Sequence, residues 1–385
     1  MMQQANRMQS IQPFHVMALL ARARELEAQG RSVVHMEIGD PDFVTPQPVI
    51  DAGIQALRDG HTHYTPAVGM PALRERIAAF YRDRYDVSVD PQRVVITPGA
   101  SAALQLVMAV LVNAGDEVLM ADPGYPCNRN FVYLLDGRPV GIPVSAASAY
   151  QPTAAQVSEY WSDATRALLV ASPSNPTGTL LGEQTLRDYH AITATHGASL
   201  IVDEIYHGLV YDGQAVTALG ISDDIFVINS FSKYFGMTGW RLGWLVAPHA
   251  QVSSIDKLAQ NLFLAAPTMA QHAALKAFDA DSIRILEARR GEFQQRRDYL
   301  LPALREIGFD IPVIPDGAFY LYANCSRFST DSYSFSSRLL EEAGVAITPG
   351  IDFGTNRPET HVRFAYTTSM ENLREGVQRL RKFLA

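Results

Sequence analysis

Segments typical of strands and helices alternate through the middle of this chain of 385 residues. The strand-like runs are VVIT, EVLMA, RPVGIPV, ALLVASP, SLIVDE, IFVINS and LGWLVAP. Helical patterns separate several of these runs, as in residues 100–111 and 184–195. Because strands joined through helices lie parallel in one sheet, the alternation predicts an α/β fold with a mostly parallel sheet between helices.

The alternation of strand-like and helical segments ends near residue 280. Residues 281–308 are rich in charge and carry apolar residues at helical spacing, which predicts one long helix. The segments IPVIPDGAFYLYANC and THVRFAY further on indicate a smaller α+β unit. A length of 385 residues fits one large and one smaller domain better than a single domain.

Bulk composition narrows the class of protein. Hydrophobic residues make up 47% and charged residues 19%, which is typical of a globular protein with a large core. The formal net charge of −8 argues against nucleic acid or an anionic membrane as the principal partner. The apolar runs are too short to span a bilayer, and the first thirty residues show no signal-peptide pattern. We therefore expect a cytoplasmic protein.

Cysteines and histidines give no sign of a metal site. Cys127 and Cys325 are too few for a disulfide framework, and no metal-ligand spacing surrounds them. His61, His63 and His207 lie near the functional motifs but lack ligand spacing, so we expect them in loops or at the surface.

Residues 230–244, SFSKYFGMTGWRLGW, carry the strongest functional signal. Lys233 follows Ser230 and Ser232 in a turn of small residues, and Arg241 comes eight positions later. A lysine that traps a carbonyl group needs little competing charge, room for a ring and an anion partner nearby. Two hydroxyls and a guanidinium suit a phosphate group. A lone lysine is usually a solvated surface residue, but this combination favours a reactive lysine beside a phosphate site.

The segment ASLIVDEIY reads as a buried strand with Asp203 at its carboxyl end. Ligands of open α/β sheets bind outside the carboxyl ends of the strands, so Asp203 falls where a ligand contact is expected. A buried carboxylate without a partner is costly, which predicts that Asp203 meets a cation. The alternatives here are a capping or loop aspartate and, for Tyr206, a half-buried core tyrosine.

Three further segments carry candidate residues. After the strand-like run VVIT, Gly99, Ala100 and Ser101 lie where the amides of a helix N-terminus point at an anion. Ser101 could equally be an ordinary N-cap. Tyr125, in DPGYPCN, is either an aromatic contact or a turn residue between glycine and proline. Arg363 lies within THVRFAY, where an arginine is usually an exposed edge residue.

Together, SFSKYFGMTGWRLGW, DEIY and SPSNPTGT resemble motifs of the class I/II aminotransferases, pyridoxal-phosphate enzymes of fold type I in the aspartate aminotransferase superfamily. The resemblance runs from about residue 13 to the end of the chain, and several motifs in the right order make it specific. It implies a large domain, residues 47–284, with a mostly parallel sheet between helices. It also implies a discontinuous α+β small domain, residues 1–46 and 285–385, and a homodimer.

The resemblance implies roles for individual residues as well. Lys233 would form the internal aldimine with pyridoxal 5′-phosphate and shuttle protons, Asp203 would pair with the ring nitrogen, and Tyr206 would bond the ring oxygen. The cofactor-binding residues that it implies are Gly99, Ala100, Ser101, Tyr125, Asn175, Asp203, Tyr206, Ser230, Ser232, Lys233 and Arg241, with Tyr64 supplied by the neighbouring subunit. The implied substrate-binding residues are Gly39, Asn175 and Arg363, and no metal is implied.

The expected function is an aminotransferase that moves the amino group between an L-amino acid and a 2-oxo acid by a ping-pong mechanism. A carbon–sulfur β-lyase, or another Cα/Cβ-lyase of the same fold, is the first alternative, because reaction type in a shared fold depends on local detail. A non-catalytic regulator with this fold is a remote alternative. Such a regulator carries a DNA-binding domain, for which the chain shows no basic helix-turn-helix pattern.

The substrate side chain is expected to be neutral. Aminotransferases that select dicarboxylates often place a second cation at the far end of the pocket. Residues 99–103 are small, residues 261–267 are neutral, and Phe14 and His15 in the N-terminal segment are neutral or only partly charged. Arg129 is the one nearby cation, and it could point to solvent. We therefore expect alanine or larger apolar and aromatic donors to work better than aspartate.

Overall fold

Twelve strands and twelve helices make up the regular structure of the computed structural model, which describes residues 4–385. The strands are β1 (Val34–His35), β2 (Val94–Thr97), β3 (Glu117–Asp122), β4 (Arg138–Pro143), β5 (Thr165–Ala171), β6 (Ser199–Asp203), β7 (Phe226–Ser230), β8 (Gly243–Val246), β9 (Tyr320–Asn324), β10 (Val345–Ala346), β11 (Thr348–Pro349) and β12 (His361–Ala365). The helices are α1 (His15–Ala28), α2 (Gln47–Arg58), α3 (Pro71–Tyr85), α4 (Ala100–Leu111), α5 (Pro126–Leu134), α6 (Ala154–Glu159), α7 (Glu183–Thr195), α8 (His249–Leu262), α9 (Thr268–Leu275), α10 (Ala280–Ile307), α11 (Ser332–Arg338) and α12 (Met370–Leu384).

The main sheet has seven strands in the order β2-β8-β7-β6-β5-β3-β4. Strands β3 to β7 run parallel to one another, as the alternation of the sequence predicts. Only β8 opposes its neighbours, β7 and β2. The α/β prediction with a mostly parallel sheet is therefore confirmed. The reversal at β8 follows from its connection to β7, residues 231–242, which contains no crossover α-helix.

Helices cover both faces of this sheet. Neighbouring residues of β5 belong to opposite cores, Leu168 on one side and Leu169 on the other. The helices α4, α5 and α8 pack on the side of Leu169, whereas α3, α7, α9 and α10 contribute to the core on the side of Leu168. Strands that are buried on both faces need continuous apolar runs rather than alternating ones, which explains the strand pattern of the sequence.

A second unit brings an N-terminal segment together with the C-terminal part of the chain. The strands β9, β12 and β11 form an antiparallel sheet, and α12 packs against the long helix α10. The short strand β1 pairs in parallel with β10, with Val34 opposite Val345. The N-terminal segment thus lies against the C-terminal part. The domain limits themselves, 47–284 against 1–46 with 285–385, stay a prediction, and residues 1–3 lie outside the described chain.

His207 is not the surface residue that the sequence predicts. It is 2% exposed, and its Nδ1 lies 3.2 Å from Oε2 of the buried Glu204. Its ring centroid lies 5.8 Å from that of Tyr85. Burial lowers the pKa of His207 to about 3, so the ring is neutral. The prediction fails because these neighbours come from the packing of α3 against the turn after β6. His61 and His63 are exposed, as expected.

Candidate active site

A cavity of about 230 Å³ opens at the carboxyl ends of the parallel strands. Nine of the residues predicted from the sequence line it: Gly39, Ala100, Ser101, Tyr125, Asn175, Asp203, Tyr206, Lys233 and Arg363. They come from segments that are far apart in the chain. The structure therefore brings most of the candidate residues into one site, where ligands of open α/β sheets are expected to bind.

Lys233 lies in the turn that follows β7, inside the cavity. Its Nζ donates a hydrogen bond to the Gly39 carbonyl oxygen at 2.7 Å. Burial is the main reason that the pKa of Lys233 is lowered to about 8; the charge of Asp40 opposes this shift, and the guanidinium groups of Arg363 and Arg241 add to it. A lysine with a lowered pKa holds a larger fraction of neutral amine, which is the form that attacks a carbonyl carbon.

Asp203 is the last residue of β6. Its Oδ1 accepts a hydrogen bond from the Ile205 amide at 3.0 Å, so the carboxylate also shapes the turn. Burial raises the pKa of Asp203 to about 6, although the charge of Lys233 lowers it. A cation placed against this carboxylate would relieve the cost of burying it.

Tyrosines form the next part of the wall. Tyr206 is 4% exposed, and its hydroxyl lies 2.9 Å from the hydroxyl of Tyr320. Tyr206 is thus fully buried at the site and not a half-buried core residue. Tyr125 directly precedes α5, and its hydroxyl accepts a hydrogen bond from the Cys127 thiol at 3.3 Å. Both rings are held by contacts, which suits them to orient a flat ligand.

Arg363 is buried, because β12 lies between β11 and β9 and is not an edge strand. Its Nη1 donates to Asn175 Oδ1 at 2.9 Å, and its Nη2 donates to the Glu37 carbonyl at 2.6 Å and to Thr348 Oγ1 at 3.1 Å. The carbon of its guanidinium group lies 4.2 Å from the centre of the Tyr320 ring. Its Nε has no partner within residues 4–385. A buried fork of donors with one still free suits a carboxylate ligand.

Gly39 allows the N-terminal loop to reach the centre of the site. A Cβ atom on Gly39 would lie 1.9 Å from the Tyr320 hydroxyl oxygen, a distance that no side chain tolerates. Only glycine therefore brings this backbone against both Lys233 and Tyr320.

The start of α4 forms an anion cradle with the turn after β7. Gly99 precedes the helix with a φ of 83°, and a Cβ atom there would lie 2.5 Å from Arg241 Nη2. Ser230 Oγ donates to Ser232 Oγ at 3.0 Å, and both side chains are buried. Hydroxyls, a guanidinium and the first amides of a helix converge here, which is the chemistry that a phosphate group requires.

The alternative role of Ser101 as an N-cap is wrong. The residue before α4 is Gly99, and Ser101 is the second residue of the helix. Its backbone amide is one of the first-turn donors that the helix itself leaves free. Ala100 and Ser101 at the start of α4, the half-buried Lys233 and the Asp203 carboxylate line one cavity. These residues fit a cofactor with a phosphate group, a basic aromatic nitrogen and a carbonyl group.

Two candidate residues lie elsewhere. Tyr64 is 81% exposed and lies outside the cavity of its own chain. Arg129 Nη2 donates to the Asp352 carbonyl oxygen at 2.5 Å, so this cation is committed to a backbone group. Within residues 4–385, moreover, no group of three or more His, Cys, Asp or Glu side chains could hold a metal ion, and no helix is long and apolar enough to cross a membrane.

Sequence reasoning missed several residues of the site. Those that line the cavity without having been predicted include Glu37, Tyr320, Thr348, Asp352 and Phe353. Glu37 lies in the same EIGDPDF segment as Gly39, which is the only signal that could have pointed to it. The other four belong to the second unit and reach the cavity through tertiary contacts.

Comparisons with known proteins agree on one family. The model of the family described as aminotransferase class I and II matches residues 31–380. The chain is 38% identical over 383 residues to a (5-formylfuran-3-yl)methyl phosphate transaminase of Methanocaldococcus jannaschii, covering 99% of each protein. It is 39% identical over 376 residues to a valine–pyruvate aminotransferase of Mycobacterium tuberculosis, covering 97% of each.

Solved structures give the same result. The crystal structure of an aminotransferase from Mycobacterium tuberculosis superposes with a TM-score of 0.96 at 38% identity, covering 100% of this chain and 99% of the other. The aspartate aminotransferase of Thermus thermophilus with maleate superposes with a TM-score of 0.93 at 33% identity, covering 99% and 100%.

Proposed function

Since this chain belongs to the class I and II aminotransferases, we propose that its cavity binds pyridoxal 5′-phosphate and that it acts on neutral L-amino acids and 2-oxo acids by a ping-pong mechanism. The chain is an aminotransferase. The observation that supports the finer proposal is the position of Lys233, a half-buried lysine with its pKa lowered to about 8, in one cavity with Asp203 and Arg363.

Different residues of the site would bind different parts of this cofactor. The cradle of Gly99, Ser230, Ser232 and Arg241 would hold the phosphate group, and Asp203 would meet the ring nitrogen. The rings of Tyr125 and Tyr206 and the amide of Asn175 would orient the cofactor ring, since all three line the cavity. When bound, the cofactor supplies a carbonyl group for the substrate amine and a ring that withdraws electrons from the substrate Cα.

Lys233 would remove the proton from the substrate Cα. A pKa of about 8 lets its amine gain and lose a proton near neutral pH, as a general base and acid must. Its hydrogen bond to the Gly39 carbonyl holds the free amine at the centre of the cavity. The position of this amine in the cavity and its lowered pKa support the proposed transfer.

Arg363 would bind the substrate carboxylate. Asn175, Thr348 and the Glu37 carbonyl hold the two terminal nitrogens of its guanidinium, so the side chain is fixed before the substrate arrives. A fixed fork orients a carboxylate as well as binding it, which directs the Cα proton of the substrate towards the lysine.

The remaining wall of the cavity favours a neutral side chain. Its apolar lining includes Phe14, Val16, Met17, Ile38, Leu104 and Phe353. Within residues 4–385, the cations that line the cavity are Lys233 and Arg363, and both already have a role. Glu37 and Asp352 add two carboxylates to the lining, which disfavours an anionic side chain.

The substrate preference can be measured directly. We expect kcat/KM for the best of alanine, leucine and phenylalanine to exceed that for aspartate or glutamate by roughly tenfold or more, since an unpaired carboxylate would enter an apolar wall. Each donor is assayed with the holoenzyme and the 2-oxo acids that correspond to the other donors. A hundredfold preference for aspartate would contradict the proposal. Release of ammonia from a cysteine conjugate without any oxo acid would support the lyase alternative instead.

We further propose a homodimer in which Tyr64 reaches the cofactor phosphate of the partner. Large apolar side chains are exposed on α2, at the end of α8 and on the connection from α8 to α9, namely Ile54, Leu57, Leu262 and Leu264. The helices α2 and α9 pack together, and Thr268 Oγ1 of α9 donates to the carbonyl of His63 at 2.7 Å. Apolar side chains clustered near the exposed Tyr64 are typical of a surface that another protein covers.

Mixed dimers test whether the site is shared. When Tyr64→Phe and Lys233→Ala chains with different tags are co-expressed, each heterodimer would contain one site with both native residues and one site with neither. Purified heterodimers should then recover about half of the activity of the native dimer. The two homodimeric variants, purified alike, give the baseline. Heterodimers that stay at this baseline would mean that each site is built from one chain.

A further inference from the structure

Asp352 accepts hydrogen bonds from the first turn of α1, although the two segments are far apart in the sequence. Its carboxylate is buried, at 4% exposure. Oδ1 accepts a hydrogen bond from the His15 amide at 2.8 Å, and Oδ2 accepts one from the Val16 amide at 2.9 Å. Each carboxylate oxygen therefore serves one backbone donor of the helix N-terminus, where a negative charge also interacts favourably with the helix dipole.

The helix supplies no such partner itself. The residue before α1 is Phe14, whose apolar side chain cannot accept a hydrogen bond from the amides of the first turn. A helix whose first amides lack a local acceptor depends on a tertiary one. Asp352 fills this role across 337 positions of the chain, so the first turn of α1 is fixed to the second unit rather than to its own flanking residues.

The segment that Asp352 holds is part of the cavity wall. Phe14, Val16 and Met17 all line the cavity, and so does Asp352 itself. These three side chains provide apolar surface on the N-terminal side of the site. Their position relative to a substrate side chain therefore follows from the two hydrogen bonds to Asp352.

Asp352 is also tied to the arginine proposed to bind the substrate carboxylate. Thr348 accepts from Arg363 Nη2 at 3.1 Å, and the Phe353 ring lies 4.9 Å from the Arg363 guanidinium carbon. Arg129 fixes the Asp352 backbone through its carbonyl oxygen. Thr348 and Phe353 at the two ends of residues 348–353 thus contact Arg363, while Asp352 between them holds α1, so one short segment connects the carboxylate site with the apolar wall.

We propose that Asp352 is a positioning residue for substrate specificity, which fastens the first turn of α1 so that Phe14 and Val16 form the wall for a large apolar side chain. The inference rests on the proposed function of the cavity in binding amino acids. A methyl side chain is too short to use this wall, whereas leucine and phenylalanine extend towards it. Loss of Asp352 therefore penalises large donors and spares alanine.

The test compares the holoenzyme with Asp352→Ala and Asp352→Asn. For Asp352→Ala, KM for phenylalanine should rise roughly tenfold and KM for alanine less than about threefold, with kcat for both almost unchanged. Asp352→Asn keeps the shape and one acceptor oxygen, so its effect should be intermediate, and it serves if the alanine variant does not fold. An equal rise of KM for both donors would overturn the proposal.

A second readout does not depend on activity. Trypsin cleavage after Arg22 or Arg24 in α1 should be faster in Asp352→Ala, by roughly tenfold, because the helix has lost its acceptors. The matched control is Asp116→Ala, which removes another buried aspartate that accepts a backbone amide, that of Asn113 at 2.8 Å. Cleavage at the native rate in Asp352→Ala would overturn the proposal. If the native protein lacked aminotransferase activity, the proposed function would fail. The cleavage experiment would still test whether Asp352 holds the first turn of α1.

Discussion

Replacing Lys233 by alanine is expected to reduce turnover by at least about four orders of magnitude, because one change removes both the amine proposed to attach the cofactor and the base proposed to move the proton. The fold should survive, since the Nζ contributes a hydrogen bond to the Gly39 carbonyl and little packing. Turnover is measured with the best donor at saturation, and circular dichroism and thermal unfolding check the fold. Lys276→Ala, which removes an exposed lysine, is the matched control.

Covalent trapping tests the same assignment independently. Treating the native holoenzyme with borohydride should fix the cofactor on Lys233, and peptide mass spectrometry locates it. The chain offers a strict internal comparison, because the other three lysines, Lys257, Lys276 and Lys382, are all exposed. An adduct on any of these, or none on Lys233, would refute the assignment.

Asp203→Asn is expected to have the next largest effect, a loss of roughly three orders of magnitude in kcat. The amide keeps the shape of the side chain but cannot hold a proton on the ring nitrogen of the cofactor. Asp224→Asn, which neutralises an exposed aspartate just before β7, should leave kcat unchanged. A native kcat in Asp203→Asn would remove this residue from the mechanism.

The affinity of Asp203 for a cation should also depend on pH. In the protein without its cofactor, burial raises the pKa of Asp203 to about 6, so the carboxylate is charged above this pH and neutral below it. Cofactor affinity of the apoprotein should therefore fall as pH drops below about 6, and this part of the fall should be missing in Asp203→Asn. Titrations of both proteins from pH 5 to 8, followed by cofactor absorbance, isolate the contribution of this one carboxylate.

The sequence predicted those parts of the site that are encoded locally. Lys233 and Asp203 each follow an apolar run, and a parallel sheet collects the ends of such runs at one edge. The direction of β8 could not be predicted from the sequence, because a buried strand has the same continuous apolar pattern whether it runs parallel or antiparallel to its neighbours. His207 was misplaced for a related reason, since its burial depends on Glu204 and Tyr85, which no local pattern brings together.

The second unit shows what a sequence pattern cannot supply. Asp352 lies in a short turn between β11 and β12 with no motif around it, and its partner amides are more than three hundred positions away. Tyr320 reads as an ordinary strand residue until Gly39 and Tyr206 come to lie against it. A tertiary contact between distant segments leaves no periodic trace in either segment, so these residues become visible only in the folded chain.

The pairing of β1 with β10 has a consequence for how the protein is made. Val34 leaves the ribosome long before Val345 is synthesised, so the N-terminal strand has no partner strand during most of translation. The seven-stranded sheet is complete once β8 has emerged, but Gly39 has no Tyr320 to pack against until the last fifth of translation. A nascent chain can thus fold its sheet while the cavity around Lys233 still lacks the wall that the second unit supplies.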